Sequence, residues 1–103
     1  MSQSKFGLSP ETQKKINEVF ALHSEVASVK IYGSRAKGNF KPCSDIDLTL
    51  YGNGLKTEKL LKIENQLDDL LLPYKIDLSI FEHIENTDLT DHIQRVGLDF
   101  YSK

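Results

Sequence analysis

Residues 33–47 read Gly-Ser-Arg-Ala-Lys-Gly-Asn-Phe-Lys-Pro-Cys-Ser-Asp-Ile-Asp and connect two predicted strands. The stretch opens with a Gly-Ser turn after a short apolar run, and it closes with Asp45 and Asp47 at the start of an alternating run. Backbone N–H groups at a glycine turn that opens a helix can hold a phosphate. Two aspartates one residue apart can hold a divalent metal ion. Together, the two halves suggest chemistry on a metal-bound nucleoside triphosphate.

Apolar periodicity and capping residues predict a chain in which helices and strands alternate. Ser9 can cap a helix that starts at Pro10, and Pro73 is expected to stop the second long helix. Asp88 or Thr90 is expected to cap the last helix. The predicted elements are helices over about residues 10–23, 34–37, 56–72 and 88–96, and strands over about 29–32, 45–51 and 75–81. We therefore expect a single α/β domain over residues 1–103, with three short strands and helices packed on one side.

Composition limits the classes of protein that this chain can belong to. The 103 residues suffice for one domain, and 39% of them are hydrophobic, which supports a modest core. With 13 basic and 15 acidic residues the formal net charge is −2, so a broad basic surface for nucleic acid is not expected. Cys43 is the only cysteine, which fits a reducing compartment. The start does not resemble a signal peptide, and no apolar run has membrane-spanning length, so the expected location is cytoplasmic.

Three aspartates have the register of a metal-binding patch. Asp45 and Asp47 are two residues apart on a strand, so their side chains point to the same face, with α-carbons roughly 6.5–7 Å apart. Asp77 has the same register in the next predicted strand, between Ile76 and Leu78. If the two strands are neighbours, three carboxylates share one patch and repel one another unless a cation is present. Two-metal phosphoryl transfer explains such a cluster, whereas an isolated Asp-x-Asp is more often the wet face of an amphipathic strand.

Gly33 and Ser34 form the candidate phosphate site. Glycine lets the backbone approach a ligand closely, and the Ser34 hydroxyl can add a hydrogen bond to a phosphate. Arg35 is a candidate contact to the triphosphate charge, and Lys37 is a weaker one. For Gly-Ser alone, the alternative is an ordinary turn with a serine cap.

The three histidines and the aromatic residues near the chain end carry weaker signals. His23, His83 and His92 lie in unrelated segments without metal-ligand spacing, and they are expected to be surface or hydrogen-bonded residues. Phe100 and Tyr101, with exposed leucines of the helix over 56–72, are candidate contacts to another chain. The alternative is that these residues complete the monomer's own core.

The joint pattern resembles the DNA polymerase beta superfamily of nucleotidyltransferases. It consists of Gly-Ser, ten intervening residues, Asp-Ile-Asp, and Asp77 on a later strand. The compact length and the fuller run from Gly-Ser-Arg-Ala-Lys-Gly to Ser-Asp-Ile-Asp-Leu resemble the minimal nucleotidyltransferase branch. The resemblance spans about residues 29–81. It implies a small mixed β-sheet flanked by helices, the palm-like fold of polymerase beta.

The resemblance also implies roles for individual residues. Metal binding, at a site for two Mg²⁺ ions, would fall to Asp45, Asp47 and Asp77. Asp77 would be either a metal ligand or the base that takes the acceptor's proton. Gly33 and Ser34 would hold the β- and γ-phosphates of a nucleoside triphosphate, usually ATP.

The implied reaction is metal-dependent transfer of AMP from ATP to a hydroxyl acceptor. Minimal members of the branch pair with a small helical protein of the HEPN type, often as an antitoxin that adenylylates this partner. A homodimer would equally provide a wall over an open sheet face. The alternative function is a non-catalytic nucleotide-binding module that neutralises a helical partner by binding. Three carboxylates together with Gly-Ser favour the enzyme, and the acidic charge disfavours a template-free RNA polymerase.

Overall fold

Four strands form one mixed sheet in the computed structural model, which describes residues 5–103. The strands are β1 (Ser28–Tyr32), β2 (Ile46–Tyr51), β3 (Ile76–Ile80) and β4 (Leu98–Ser102). Their spatial order is β3-β2-β1-β4. β1 is antiparallel to both β2 and β4, whereas β2 and β3 are parallel. The predicted small mixed sheet is confirmed, with one strand more than expected.

Helices flank this sheet at the predicted points of the chain. They are α1 (Pro10–Ala21), α2 (Ser34–Lys37), α3 (Thr57–Asp68) and α4 (Thr87–Val96), and a 3-10 turn (Phe81–His83) follows β3. α1 begins as predicted, because the Ser9 side chain accepts a hydrogen bond from the Thr12 N–H at 3.1 Å. Within residues 5–103, none of the helices has the length and apolarity needed to cross a bilayer.

The main core lies between one face of the sheet and the pair α1 and α3. Its fully buried side chains include Ile16 and Phe20 of α1, Ile31 of β1, Leu48 of β2 and Ile63 of α3. Burying each such side chain stabilises the fold by about 1.5–3 kcal/mol. Because strand residues alternate between faces, anchoring the apolar residues here fixes their polar neighbours on the opposite face.

α4 packs on that opposite face, against β1. The His92 ring makes an edge contact with the Tyr32 ring, at a centroid distance of 6.2 Å. Ile93 is fully buried, yet it lies outside the main core cluster. The expectation that all helices pack on one side of the sheet was therefore wrong, because α4 buries a separate, smaller apolar contact on the second side.

Two predicted helix boundaries were also wrong. α3 ends at Asp68 and not near residue 72, and Leu71 has a φ of 55°, which a right-handed helix cannot contain. Asp68 and Asp69 lie at this end, next to the negative pole of the helix dipole, and their charges disfavour extending the helix further. α4 is capped by Asn86, whose side chain accepts hydrogen bonds from two N–H groups of the first turn at 2.9 and 3.2 Å, and not by Asp88 or Thr90.

β4 was not predicted, because two adjacent aromatic residues interrupt the alternation that identifies a strand. Phe100 is buried and packs on the Phe6 ring at a centroid distance of 5.9 Å. Tyr101 packs on the Phe20 ring at 5.6 Å. A register shift in the β1–β4 ladder lets both aromatic residues reach apolar surroundings. The alternative interpretation of these two residues therefore holds: they complete the monomer's own core.

Candidate active site

A row of three side chains crosses the sheet on the face opposite the main core. Tyr32 of β1 pairs with Asp47 of β2, and Asp47 pairs with Asp77 of β3. Neighbouring strands lie about 4.8 Å apart, so the two aspartates stand side by side. Asp45 lies one residue before β2 and is exposed, as is Asp77. The condition on which the predicted patch depended, that β2 and β3 are neighbours, is met.

Asp47 is the half-buried centre of this patch. Burial raises the pKa of Asp47 above its ordinary value of 3.8, and the charges of Asp77 and Asp45 raise it further. The charges of His92 and Arg35 act in the opposite direction. The three carboxylates are therefore close enough to repel one another, and a bound cation would relieve that repulsion.

The donor set fits a metal ion shared with a substrate. Mg²⁺ prefers oxygen ligands, and in phosphoryl-transfer sites it commonly takes one or two carboxylates together with phosphate oxygens. Over residues 5–103, no three His, Cys, Asp or Glu side chains converge closely enough to enclose a metal ion by themselves. Asp47 and Asp77, with Asp45 beside them, therefore fit a cation whose remaining ligands come from a triphosphate and water.

Gly33 lies directly beside the Asp47 carboxylate. A β-carbon added to Gly33 would lie 2.3 Å from Asp47 Oδ2, far inside ordinary contact distance. Gly33 also has φ 76° and ψ −155°, a backbone region that is essentially restricted to glycine. The Gly-Ser turn at residues 33–34 and the Asp-x-Asp segment at residues 45–47 are separate in the sequence. They meet in space where Gly33 lies beside Asp47. Gly33 therefore leaves room for a carboxylate as well as for any ligand.

Ser34 opens the single-turn helix α2 beside this contact. The Gly33 carbonyl accepts the Lys37 N–H at 3.1 Å, and the Ser34 carbonyl accepts the Gly38 N–H at 2.9 Å. The first N–H groups of a helix have no partner within that helix, so a turn of this kind presents them to an anion. Ser34 is half-buried, whereas Lys37 is exposed. The placement of Gly33 and Ser34 next to Asp47 is compatible with the predicted phosphate site.

Arg35 is buried and does not face the phosphate turn as an exposed cation would. Only 2% of its surface is exposed, and its guanidinium donates hydrogen bonds to main-chain carbonyls of the segments on either side. Four hydrogen bonds occupy most of the guanidinium donors, and every contact of this side chain is to the protein itself, so binding of the triphosphate by Arg35 stays a prediction. The positive charge of Arg35 still acts on the site, because that charge lowers the pKa of Asp47, although burial raises the same pKa by more.

Two neighbours of the carboxylates, Tyr32 and His92, were missed. Burial raises the pKa of Tyr32; the Ser79 hydroxyl opposes this shift, and the charges of Asp77 and Asp47 add to it. The register of Tyr32 in β1 already placed it on the polar face, so the alternation of β1 was the available signal. His92 reaches the site only because α4 crosses to this face, and no sequence pattern indicated that crossing.

The chain matches the family model described as "Polymerase beta, Nucleotidyltransferase" over residues 14–103. Two proposed protein adenylyltransferases of Methanocaldococcus jannaschii are 34% and 33% identical to it over 84 residues. Both alignments cover 74% of this chain and 85% of the relative.

Solved structures share the fold at low sequence identity. A chain of a toxin–antitoxin crystal structure with AMP-PNP has a TM-score of 0.72 at 18% identity, covering 88% of this chain and 73% of that chain. A chain of the complex of tri-AMPylated HEPN toxin of Shewanella oneidensis with MNT antitoxin has a TM-score of 0.66 at 16% identity, covering 90% and 71%. A proposed nucleotidyltransferase from Sulfolobus solfataricus has a TM-score of 0.53 at 18% identity, covering 100% and 93%. Because the family model extends over most of the sequence and two relatives exceed 30% identity, this chain belongs to the polymerase beta nucleotidyltransferase family and is a nucleotidyltransferase.

Proposed function

We propose that this nucleotidyltransferase moves AMP from Mg²⁺-bound ATP to a hydroxyl group on a partner protein, as the antitoxin of a toxin–antitoxin pair. The observation that carries the proposal is the in-register pairing of Asp47 with Asp77, beside the Gly33 contact. That arrangement puts a carboxylate pair next to a turn suited to phosphate. The relatives named as protein adenylyltransferases support a protein as the acceptor.

We assign the site residues separate roles in metal binding, phosphate binding and proton transfer. Asp45 and Asp47, with Asp77 as a further candidate ligand, would hold Mg²⁺ at one or two positions, and Gly33 and Ser34 would hold the β- and γ-phosphates. When bound, Mg²⁺ neutralises charge on the phosphate oxygens. The acceptor oxygen attacks the α-phosphorus, the bond to the bridging oxygen of the β-phosphate breaks, and pyrophosphate leaves. The exposed Asp77 either completes the Mg²⁺ site or takes the acceptor's proton as the base.

The open form of the patch favours a macromolecular acceptor. Two of the grooves on the described part of the chain, of about 500 and 640 Å³, are lined by residues other than Asp45, Asp47 and Asp77, and both Asp45 and Asp77 are exposed. α4 covers the β1 side of the carboxylate face, while Asp77 on β3 stays exposed. This open patch offers few contacts to a small acceptor. A second protein, in contrast, can cover the patch with its own surface and exclude water from the reacting centre.

A small helical protein of the HEPN type is the proposed partner. Structures that share this fold come from complexes of HEPN toxin with MNT antitoxin, one of them with an AMPylated toxin, which motivates the choice. A second copy of this chain is the alternative candidate for the protein that covers the open carboxylate patch. The mass of the purified protein, measured in solution alone and with a co-expressed HEPN-type protein, distinguishes these two arrangements.

Transfer of label from α-³²P-ATP to the co-expressed partner tests the proposal. We expect label on a hydroxyl-bearing residue of the partner, located by mass spectrometry, that requires Mg²⁺ and disappears with chelator. Asp77→Asn should abolish it, and Asp99→Asn, a change of charge on the distant strand β4, should leave it intact. Tight binding of the partner without any label would identify the chain as a neutralising binding module. Label on a free small molecule at a useful rate would overturn the proposed acceptor.

A further inference from the structure

Arg35 is the largest fully buried side chain of the described chain, and it is a cation. Its Nε and Nη2 atoms donate to the Ser44 carbonyl at 3.0 and 2.8 Å. Nη2 also donates to the Pro42 carbonyl at 3.2 Å, and Nη1 donates to the Phe6 carbonyl at 2.8 Å. The guanidinium fork therefore joins α2 to two other segments, one of which leads directly into β2.

Aromatic rings complete the surroundings of this cation. The Phe40 ring lies 5.3 Å from the guanidinium carbon and the Tyr74 ring lies 4.9 Å from it, both within cation–π range. Phe40 belongs to the same loop as the carbonyls, and Tyr74 lies two residues before β3. Segments leading to both carboxylate strands are thus gathered around one side chain.

The loop that Arg35 holds, residues 38–45, ends in the first carboxylate. Its last turn is closed by the Lys41 N–H, which donates to Ser44 Oγ at 2.8 Å, and by the Ser44 N–H, which donates to the Lys41 carbonyl at 3.0 Å. The Ser44 carbonyl that accepts two bonds from Arg35 belongs to the peptide unit that joins Ser44 to Asp45. Fixing that peptide restricts where the exposed Asp45 carboxylate can lie relative to Asp47.

We infer that Arg35 is a positioning residue, which holds the peptide before Asp45 and so sets the distance between the phosphate turn and the carboxylates. The inference rests on the proposed function and adds a residue that acts without touching nucleotide or metal. Arg35 sits one residue after Ser34, so the same side chain fixes the end of the 38–45 loop against the start of α2. A lysine would keep the charge but lose the planar fork, which donates to three carbonyls at fixed angles.

The test compares Arg35→Lys with Lys62→Met, a change of an exposed cation on α3, which packs on the opposite face of the sheet. Mn²⁺ is the probe, and its affinity for the protein–ATP complex is measured by electron paramagnetic resonance. Circular dichroism at the temperature of the binding measurement establishes that the variants are folded. We expect Arg35→Lys to weaken Mn²⁺ binding and to slow transfer on the order of 10- to 100-fold, because changing a residue that orients metal ligands typically has effects of this size. Lys62→Met should behave as the wild-type protein does.

A double-mutant cycle separates positioning from general support of the fold. If Arg35 acts through Asp45, the loss of Mn²⁺ affinity caused by Arg35→Lys should largely vanish in an Asp45→Asn background, since interacting residues are not additive. Equal losses in both backgrounds would overturn the inference. So would wild-type Mn²⁺ affinity in folded Arg35→Lys, or an Arg35→Lys defect confined to ATP affinity, which would indicate direct phosphate contact.

Phe40→Leu is the second variant, needed if Arg35→Lys does not fold. It keeps the guanidinium and removes one of the two rings that cover it, so we expect a smaller loss of Mn²⁺ affinity in the same direction. Unchanged affinity in Phe40→Leu would then overturn the inference. A wild-type protein that binds no Mn²⁺ would overturn the proposed function and this inference together, whereas wild-type binding with unaffected variants overturns the inference alone.

Discussion

Replacing Gly33 by alanine puts a methyl group where the Asp47 carboxylate lies. The new β-carbon would be 2.3 Å from Asp47 Oδ2, and ordinary contact begins at 3.4 Å, so the carboxylate must move by about 1 Å, the difference between the two. A displacement of about 1 Å at a reacting centre costs on the order of 100-fold in rate. The backbone of Gly33 adds a second cost, on the order of 1–3 kcal/mol, because alanine does not favour its φ and ψ.

Gly54→Ala is the matched control for this variant. Gly54 also has a φ of 76°, but a β-carbon added there meets nothing within 4 Å. Both variants should therefore unfold at lower temperature, by about 4–8 °C for each kcal/mol lost in a domain of this size. Only Gly33→Ala should also lose metal binding and transfer.

Mn²⁺ binding without nucleotide is the decisive assay, because it does not depend on any contact between Gly33 and a phosphate. We expect Gly33→Ala to bind Mn²⁺ more weakly than Gly54→Ala, with both proteins folded by circular dichroism. Equal Mn²⁺ affinity in the two variants would refute the reasoning that Gly33 sets the position of the Asp47 carboxylate.

Three further results are expected. Burial, with repulsion from Asp77 and Asp45, raises the pKa of Asp47 above 3.8. The folded state therefore favours the protonated carboxyl, and the contribution of Asp47 to folding stability is present at low pH and is lost as the pH rises through the raised pKa. Asp47→Asn should therefore melt above the wild-type protein at pH 7, with the gap closing near pH 4; a lower melting temperature at pH 7 would contradict this. Mg²⁺ with ATP should raise the wild-type melting temperature, with about 2.7 kcal/mol of stabilisation at 100 times Kd, and it should not do so for Asp47→Asn. Asn86→Ala should cost about 1 kcal/mol of folding stability without changing the transfer rate, and a loss no greater than that of Asp88→Ala would mean that Asn86 is not the cap.

The sequence predicted those parts of the fold that depend on local periodicity. The register of Asp47 and Asp77 could be derived because each aspartate lies between apolar residues whose faces are fixed by the core. α4 could not be placed, because an amphipathic helix of this length fits either side of a sheet. The burial of Arg35 could not be derived for a related reason: its position next to Gly-Ser is visible in the sequence, but the direction of a long side chain is set by tertiary contacts.

The parallel pairing of β2 with β3 has a consequence for how this protein becomes active. Asp47 and Asp77 meet only after α3 has crossed from one strand to the other, and closing such a connection is slower than forming a local hairpin. Among the strands that the structure describes, β3 is also an edge strand, with β2 as its one neighbour. A chain in which β3 has not yet docked, or has detached, can keep the antiparallel β1–β2 pair and the Gly-Ser turn while its carboxylate pair is separated. Under the proposed function, nucleotidyl transfer is therefore restricted to molecules in which β3 has docked, and a partner that binds along β3 would act on the strand that carries Asp77.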